Sequence, residues 1–150
     1  GYEHLCSLSP DDKRLRFNAF VTNAQIFNYC NIWHKSDHHV YAIFKEFKVI
    51  GLLHIAPDID YQNGWEIGLS VSTDEQGQGL GGKLLEYAKT EALANEWGAL
   101  TFRYSGSNRK LYALCNKVGF TTSRDGSEYL SYFEVTPNTE LVEAVPIVFD

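Results

Sequence analysis

The chain has 150 residues, of which 44% are hydrophobic and 21% charged, and this composition predicts one ordinary globular domain over residues 1–150. Its formal net charge of −6 argues against a nucleic-acid partner, because a protein that binds the phosphate backbone carries a basic stripe. No run of about 18 apolar residues is present, so we expect no membrane partner. Three cysteines without a C-x-x-C pair favour a reducing, cytoplasmic location.

The N-terminal part predicts two helices. In "SPDD", Ser9 suits the N-cap, Pro10 the first helical position, and the two aspartates the positive first turn. This helix should run to about Phe20. A second helix should start at Thr22 and carry three apolar side chains on one face, Ile26, Cys30 and Trp33.

Three strand-like runs follow, "HVYAIFKEF", "KVIGLLHIAP" and "GWEIGLSVS". The first two lie back to back and predict an antiparallel pair. The spacing of the apolar residues predicts a helix over 80–96, "ALTFRYS" predicts a short strand, and 108–117 predicts a helix that Gly119 ends. The segments "FTTS", "RDG" and "EYLSYFEV" predict a closing hairpin. This order of elements predicts an α/β layer with helices on both faces of one sheet.

Residues 136–150 form a C-terminal extension with an apolar end. Pro146 confines that end to a sheet edge or a loop. One hypothesis is that the extension is a dimer element, so that the protein forms a homodimer.

The segment "DEQGQGLGGKLL" fits three phosphate-binding patterns. A dinucleotide fingerprint does not fit, since four residues separate the strand from Gly77 and no acidic residue ends the next strand. A nucleotide P-loop needs a Ser or Thr hydroxyl to bind Mg²⁺ at the position of Leu84, so that pattern is set aside. The third pattern, Q-x-x-G-x-G, remains.

The segment "VSTDEQGQGLGGKLL" resembles motif A of the GNAT superfamily of N-acetyltransferases, and "NRKLYALCNKVGF" resembles its motif B. The resemblance extends from the Ser9 helix to the hairpin. It implies the GNAT fold, in which a mixed, mostly antiparallel, twisted sheet is splayed at the fourth strand and helices cover both faces. It also implies acetyl-CoA as co-substrate and an amine as acceptor, with no metal.

By this resemblance, the strand, the loop and the two following helices supply the acetyl-CoA site: Leu69, Ser70, Val71, Gln76, Gly77, Gln78, Gly79, Leu80, Gly81, Gly82 and Asn108. Backbone N–H groups at a helix N-terminus suit a pyrophosphate, and glycine allows a close approach. The Val71 N–H would face the thioester carbonyl, and Gly68 would ease the bulge that the splay requires.

The resemblance places a general base at Glu66, although a surface or salt-bridged glutamate is an equal alternative. Many family members carry a tyrosine acid where this chain has Cys115. Tyr112 could replace that tyrosine, Cys115 could be a weak donor or a buried apolar residue, or no enzyme acid is needed.

The acceptor is expected to be a small amine or a lysine side chain. The branch that acetylates protein N-termini uses a glutamate on the fifth strand, where this chain offers Arg103. The alternative is a non-catalytic module that senses acyl-CoA. Three histidines, His34, His38 and His39, predict a polar loop and no metal site. Four aromatic residues either line the acceptor pocket or pack on the sheet: Tyr61, Trp65, Tyr129 and Tyr132.

Overall fold

The computed structural model describes residues 1–135. Its helices are α1 (Tyr2–Ser7), α2 (Pro10–Phe17), α3 (Asn23–Asn31), α4 (Leu80–Ala94) and α5 (Arg109–Lys117). Its strands are β1 (His39–Lys45), β2 (Lys48–Asp58), β3 (Gly64–Val71), β4 (Ala99–Ser105), β5 (Thr121–Asp125) and β6 (Glu128–Glu134). The predicted extension and its role in a dimer lie outside the described residues. Within residues 1–135, no helix has the length and apolar character needed to cross a membrane.

The strands form one sheet in the order β1-β2-β3-β4-β6-β5, and every neighbouring pair is antiparallel except β3 with β4. Helices α4 and α5 pack on one face around a large apolar cluster that includes Leu84, Leu100 and Phe120. The helices α1 to α3 cover the other face through a smaller cluster built on Leu5, Ile26, Leu52 and their neighbours. The predicted α/β class with helices on both faces is therefore confirmed.

Helix α1 was not predicted, because its six residues carry no cap and too few apolar positions for a periodic pattern. A tertiary contact holds it. The His4 ring lies between two hydroxyls of β3 and the residue that follows it, with Nε2 2.9 Å from Ser70 Oγ and Nδ1 3.2 Å from Ser72 Oγ. Burial is the main cause that lowers the pKa of His4 to about 4, so this ring is neutral at neutral pH.

Two helix ends differ from the prediction. Helix α2 ends at Phe17 and not near Phe20, since Asn18 adopts the left-handed conformation with φ of 54°. Helix α4 ends at Ala94, and Glu96 beyond it also has a positive φ, of 57°. In both cases a residue other than glycine reverses the chain, which the sequence pattern did not indicate.

The parallel pair β3–β4 is short. It joins the first three residues of each strand, up to the pair Glu66 and Thr101, and the strands then separate. The expected splay is present, at the third strand of this chain rather than the fourth. Pairing of β3 with β2 runs in one register over the full length of β3, so the bulge expected at Gly68 is absent from this ladder.

Candidate active site

A cleft of about 610 Å³ lies where β3 and β4 diverge. It is lined by the end of β3, the glycine loop, the centre of β4, the start of α5, and one side of α2. Of the predicted acetyl-CoA residues, all but Gln78 line it: Leu69, Ser70, Val71, Gln76, Gly77, Gly79, Leu80, Gly81, Gly82 and Asn108. The Gln78 side chain instead donates to Glu75 Oε2 at 3.1 Å.

The glycines of the loop serve two different purposes. Gly77 and Gly79 have φ of 81° and 79°, a region that favours glycine, although a Cβ there would meet no atom within 4 Å. A Cβ on Gly81 would lie 3.1 Å from Leu114 Cδ2, so this glycine allows α4 and α5 to approach each other. The loop thus delivers the uncapped N-terminus of α4 to the cleft, where its first backbone N–H groups have no partner within the helix.

Hydrogen bonds hold the loop in place. Gln76 Nε2 donates to Val71 O at 3.2 Å and to Asp12 Oδ2 at 3.0 Å. The same carboxylate oxygen of Asp12 accepts from Thr73 Oγ1 at 2.7 Å. The loop is therefore tied both to the end of β3 and to the first turn of α2, a link that the sequence did not reveal.

The open edge of β3 presents backbone donors to the cleft. Ser72 N donates to Ile50 O on β2 at 2.7 Å. Because neighbouring residues of a strand direct their backbone groups to opposite edges, the N–H groups of Leu69 and Val71 point away from β2, toward the separated β4. Both residues are among those that the resemblance implies for the acetyl-CoA site, where the Val71 N–H is expected to face the thioester carbonyl.

The start of α5 adds polar and positive groups. Asn108 caps the helix, with its Oδ1 accepting from Leu111 N at 3.2 Å, and also lines the cleft. Arg109 and Lys110 line it beside Asn108, whereas Lys83 is exposed and outside it. The two cations of α5 were missed because nothing in their local sequence separates them from a solvated helix face.

Glu66 lies at the point where β3 and β4 separate, and an arginine orients its carboxylate. Arg103 Nη1 lies 2.5 Å from Glu66 Oε2 and 2.6 Å from Asp58 Oδ2. Burial opposes the charge of Asp58, but hydrogen bonds from Thr101 and Arg103 outweigh it and hold the pKa of this carboxyl below its ordinary value. Glu66 is 48% exposed and does not itself line the cleft, whereas its partner Arg103 does. The expected ion pair is therefore present, and the role of Glu66 as a base stays a prediction.

The structure does not bring either proposed acid into the cleft. Cys115 is fully buried, and burial raises the pKa of its thiol. The Tyr112 ring packs 5.0 Å from the ring of Tyr129 and does not line the cleft. Tyr104 of β4 does line it, but burial raises the pKa of its hydroxyl to about 12 and Ser131 Oγ lies 2.8 Å away. We assign the acid role to none of these residues.

The four aromatic candidates and the three histidines singled out in the sequence do not come together at the cleft either. Trp65 stacks on Trp97 within the core, with ring centroids 4.4 Å apart. None of the four aromatic candidates lines the cleft. His34 is exposed, His38 stacks on His54 at 5.0 Å, and His39 packs against the two tryptophans. In the described part of the chain, no group of three or more histidine, cysteine or acidic side chains is arranged to hold a metal.

Comparison with known proteins agrees with this geometry. The profile of the acetyltransferase (GNAT) family matches residues 5–120. Comparison with curated protein sequences finds no match.

Three solved structures have the same fold at low identity. The GNAT domain of S. lividans PAT is 17% identical, with 89% of this chain and 82% of that chain covered and a TM-score of 0.75. Spermidine N-acetyltransferase from Vibrio cholerae, in complex with CoA and spermine, is 14% identical, with 89% and 88% covered and a TM-score of 0.71. Ribosomal-protein-alanine N-acetyltransferase from Brucella melitensis is 16% identical, with 88% and 93% covered and a TM-score of 0.66.

The family profile spans most of the chain, and the glycine loop and the strands β3 and β4 that separate beside it lie within its match. On this evidence, the chain belongs to the acetyltransferase (GNAT) family and is an acetyltransferase.

Proposed function

We propose that the protein transfers an acetyl group from acetyl-CoA directly to a primary amine, of a small molecule or a lysine side chain, in a ternary complex. The observation that carries this proposal is the cleft between β3 and β4. One end of it is the glycine-built N-terminus of α4, and Glu66 lies where its two strands meet. An anion site and a carboxylate thus lie along one continuous strand and loop.

In this proposal the pyrophosphate of acetyl-CoA binds at the N-terminus of α4, at the N–H groups of Leu80, Gly81 and Gly82. Arg109 and Lys110, which line the same cleft, add positive charge to it. The pantetheine arm runs along the open edge of β3 and accepts from the N–H groups of Leu69 and Val71. The second donor stabilises the oxyanion of the thioester carbonyl as it forms.

The acceptor must lose a proton, because alkyl amines are mostly protonated at neutral pH. Glu66 takes this proton, directly or through water, and the amine nitrogen attacks the thioester carbon. The C–N bond forms while the carbonyl electron pair moves to oxygen. When that pair returns, the C–S bond breaks and CoA leaves as a thiolate. The new amide nitrogen gives its second proton to water, and the thiolate takes up a proton from water.

The named relatives support an amine acceptor without identifying it. One relative is named for spermidine and another for a ribosomal-protein alanine, and both share this fold with similar TM-scores. The choice between a polyamine, an amino acid and a protein amine therefore depends on side chains around the cleft rather than on the fold.

The test is release of free thiol from acetyl-CoA in the presence of a panel of primary amines, with acetyl-CoA binding measured by calorimetry. We expect thiol release that depends on an amine, and mass spectrometry should identify the acetylated product. Tight binding of acetyl-CoA without release for any amine would contradict the proposal and favour a sensor of acyl-CoA.

A further inference from the structure

Arg16 of α2 lies on the face of β3 that also carries Glu66. It lines the cleft, and a Cβ built on Gly68 would lie only 2.1 Å from Arg16 Nη2. The guanidinium therefore fills the space that any larger residue at position 68 would occupy. Side chains at 66 and 68 point to the same face, because side chains alternate along a strand.

The charge of Arg16 has no counter-ion within the described residues. No carboxylate in residues 1–135 lies within ion-pair distance of it, whereas the other arginine of the cleft, Arg103, is neutralised by Asp58 and Glu66. Arg16 contacts the rings of Phe17 and Tyr29, with its guanidinium carbon 4.9 Å and 5.3 Å from their centroids. A partly buried guanidinium that has no counter-ion among residues 1–135 is suited to bind an anion.

A chain of hydrogen bonds fixes the guanidinium. Arg16 Nη2 donates to the Tyr29 hydroxyl at 2.6 Å, and that hydroxyl in turn contacts His54 Nδ1. His54 Nε2 lies 2.8 Å from His38 Nδ1. Burial, followed by the charge of Arg16, lowers the pKa of His54 to about 3, so its ring is neutral and can accept at Nδ1. Tyr29 therefore acts as a positioning residue for Arg16.

We propose that Arg16 binds a carboxylate of the acceptor, so that the acceptor is a small amine with a carboxylate close to its amino group, such as an α-amino acid. Positions 66 and 68 are about 6.6 Å apart along the strand. An amino acid lying across them places its amino group at Glu66 and its carboxylate in the fork of Arg16. This inference rests on the proposed function, since it names the acceptor of that reaction.

The experiment compares amines that differ only in the carboxylate. Leucine, phenylalanine and lysine are each paired with the decarboxylated amine, and kcat and KM are measured for the wild type and for Arg16→Met. For the wild type, we expect kcat/KM to be roughly 10- to 100-fold higher for the carboxylate member of at least one pair, as for a charge-assisted hydrogen bond. In Arg16→Met this preference should disappear through KM, while the affinity for acetyl-CoA is retained.

Three further variants separate binding from folding. Arg14→Met removes the same charge from an exposed position of the same helix and should keep the preference. Arg16→Lys keeps the charge without the planar fork and should retain part of it. Tyr29→Phe keeps Arg16 but removes the hydroxyl that accepts its hydrogen bond. This variant should raise KM for the amino acid and leave KM for the decarboxylated amine unchanged.

Calorimetry with the CoA-saturated protein reads the same preference without turnover. Turnover with no preference for the carboxylate, or loss of acetyl-CoA affinity in Arg16→Met, would overturn the inference and leave the proposed function standing. Preferential binding of the amino acid without turnover would support the carboxylate site at Arg16 and contradict the proposed acetyl transfer.

Discussion

The guanidinium of Arg16 occupies the space above Gly68 that a side chain would need. We therefore expect Gly68→Ala to displace Arg16 and raise KM for the acceptor. The cost in stability should be small, because the atom that must move is the end of a flexible side chain. Steady-state kinetics and urea unfolding measure the two effects.

The double variant Gly68→Ala with Arg16→Met is the control for this substitution. Once the guanidinium is absent, the added methyl group has no bound charge to displace and should change KM no further. Independent, additive effects of the two changes would contradict the contact.

Glu66→Gln should lower kcat/KM for amines by about 10²- to 10⁴-fold, the usual contribution of a general base. The amide remains able to accept a hydrogen bond from Arg103, and the pair is half exposed, so stability should change little. Glu86→Gln, at an exposed position of α4, is the matched control. An unchanged rate with every amine would remove Glu66 from the mechanism.

Gly79→Ala and Gly126→Ala form a matched pair. Both glycines have positive φ, of 79° and 61°, and a Cβ would meet no atom within 4 Å at either. Each substitution should cost about 1 kcal/mol of stability through backbone strain alone. Only Gly79→Ala, in the loop that lines the cleft, should also weaken acetyl-CoA binding, by about tenfold in calorimetry. Equal binding by the two variants would place the pyrophosphate elsewhere.

The buried histidines predict a loss of stability in weak acid. The folded-state pKa of His4 is about 4 and that of His54 about 3, both below the ordinary 6.5. As pH falls below 6.5, these histidines become protonated in the unfolded chain but stay neutral in the folded protein. The free energy of unfolding therefore falls, by about 1.4 kcal/mol per pH unit for each proton. Urea unfolding from pH 7.5 to pH 4.5 measures this slope. His4→Gln should reduce this slope by the contribution of about one proton. An unchanged slope would show that the pKa of His4 is not lowered in the folded protein.

Cys115→Ala should keep kcat unchanged, because the sulfur is buried outside the cleft. Loss of one buried heavy atom should lower the free energy of unfolding by about 1 kcal/mol. In the native protein, Cys115 should also react with an alkylating reagent more slowly than the half-buried Cys6. A large fall in kcat at full stability would restore the acid role to this thiol.

The sequence predicted features that depend on local chemistry. The cap at Ser9, the glycine loop and most strands follow from residues that are neighbours in the chain. Tertiary contacts decide the rest. Helix α1 depends on the contacts of His4 with Ser70 and Ser72, and Arg16 gains its position only when α2 packs over β3. Tyr112 and Cys115 occupy motif positions near the cleft in sequence, yet their side chains turn to the hairpin and the core.

Helix α2 carries Asp12 and Arg16 four residues apart, and so on one side. Asp12 bonds the loop proposed for acetyl-CoA, through Thr73 and Gln76, while Arg16 reaches the strand position proposed for the acceptor. One helix of about two turns thus contacts both proposed substrate sites. Ordering the loop with one ligand should therefore favour the other, and by thermodynamic reciprocity the coupling must be equal in both directions. Such a protein should show an acceptor affinity that rises as CoA fills its site.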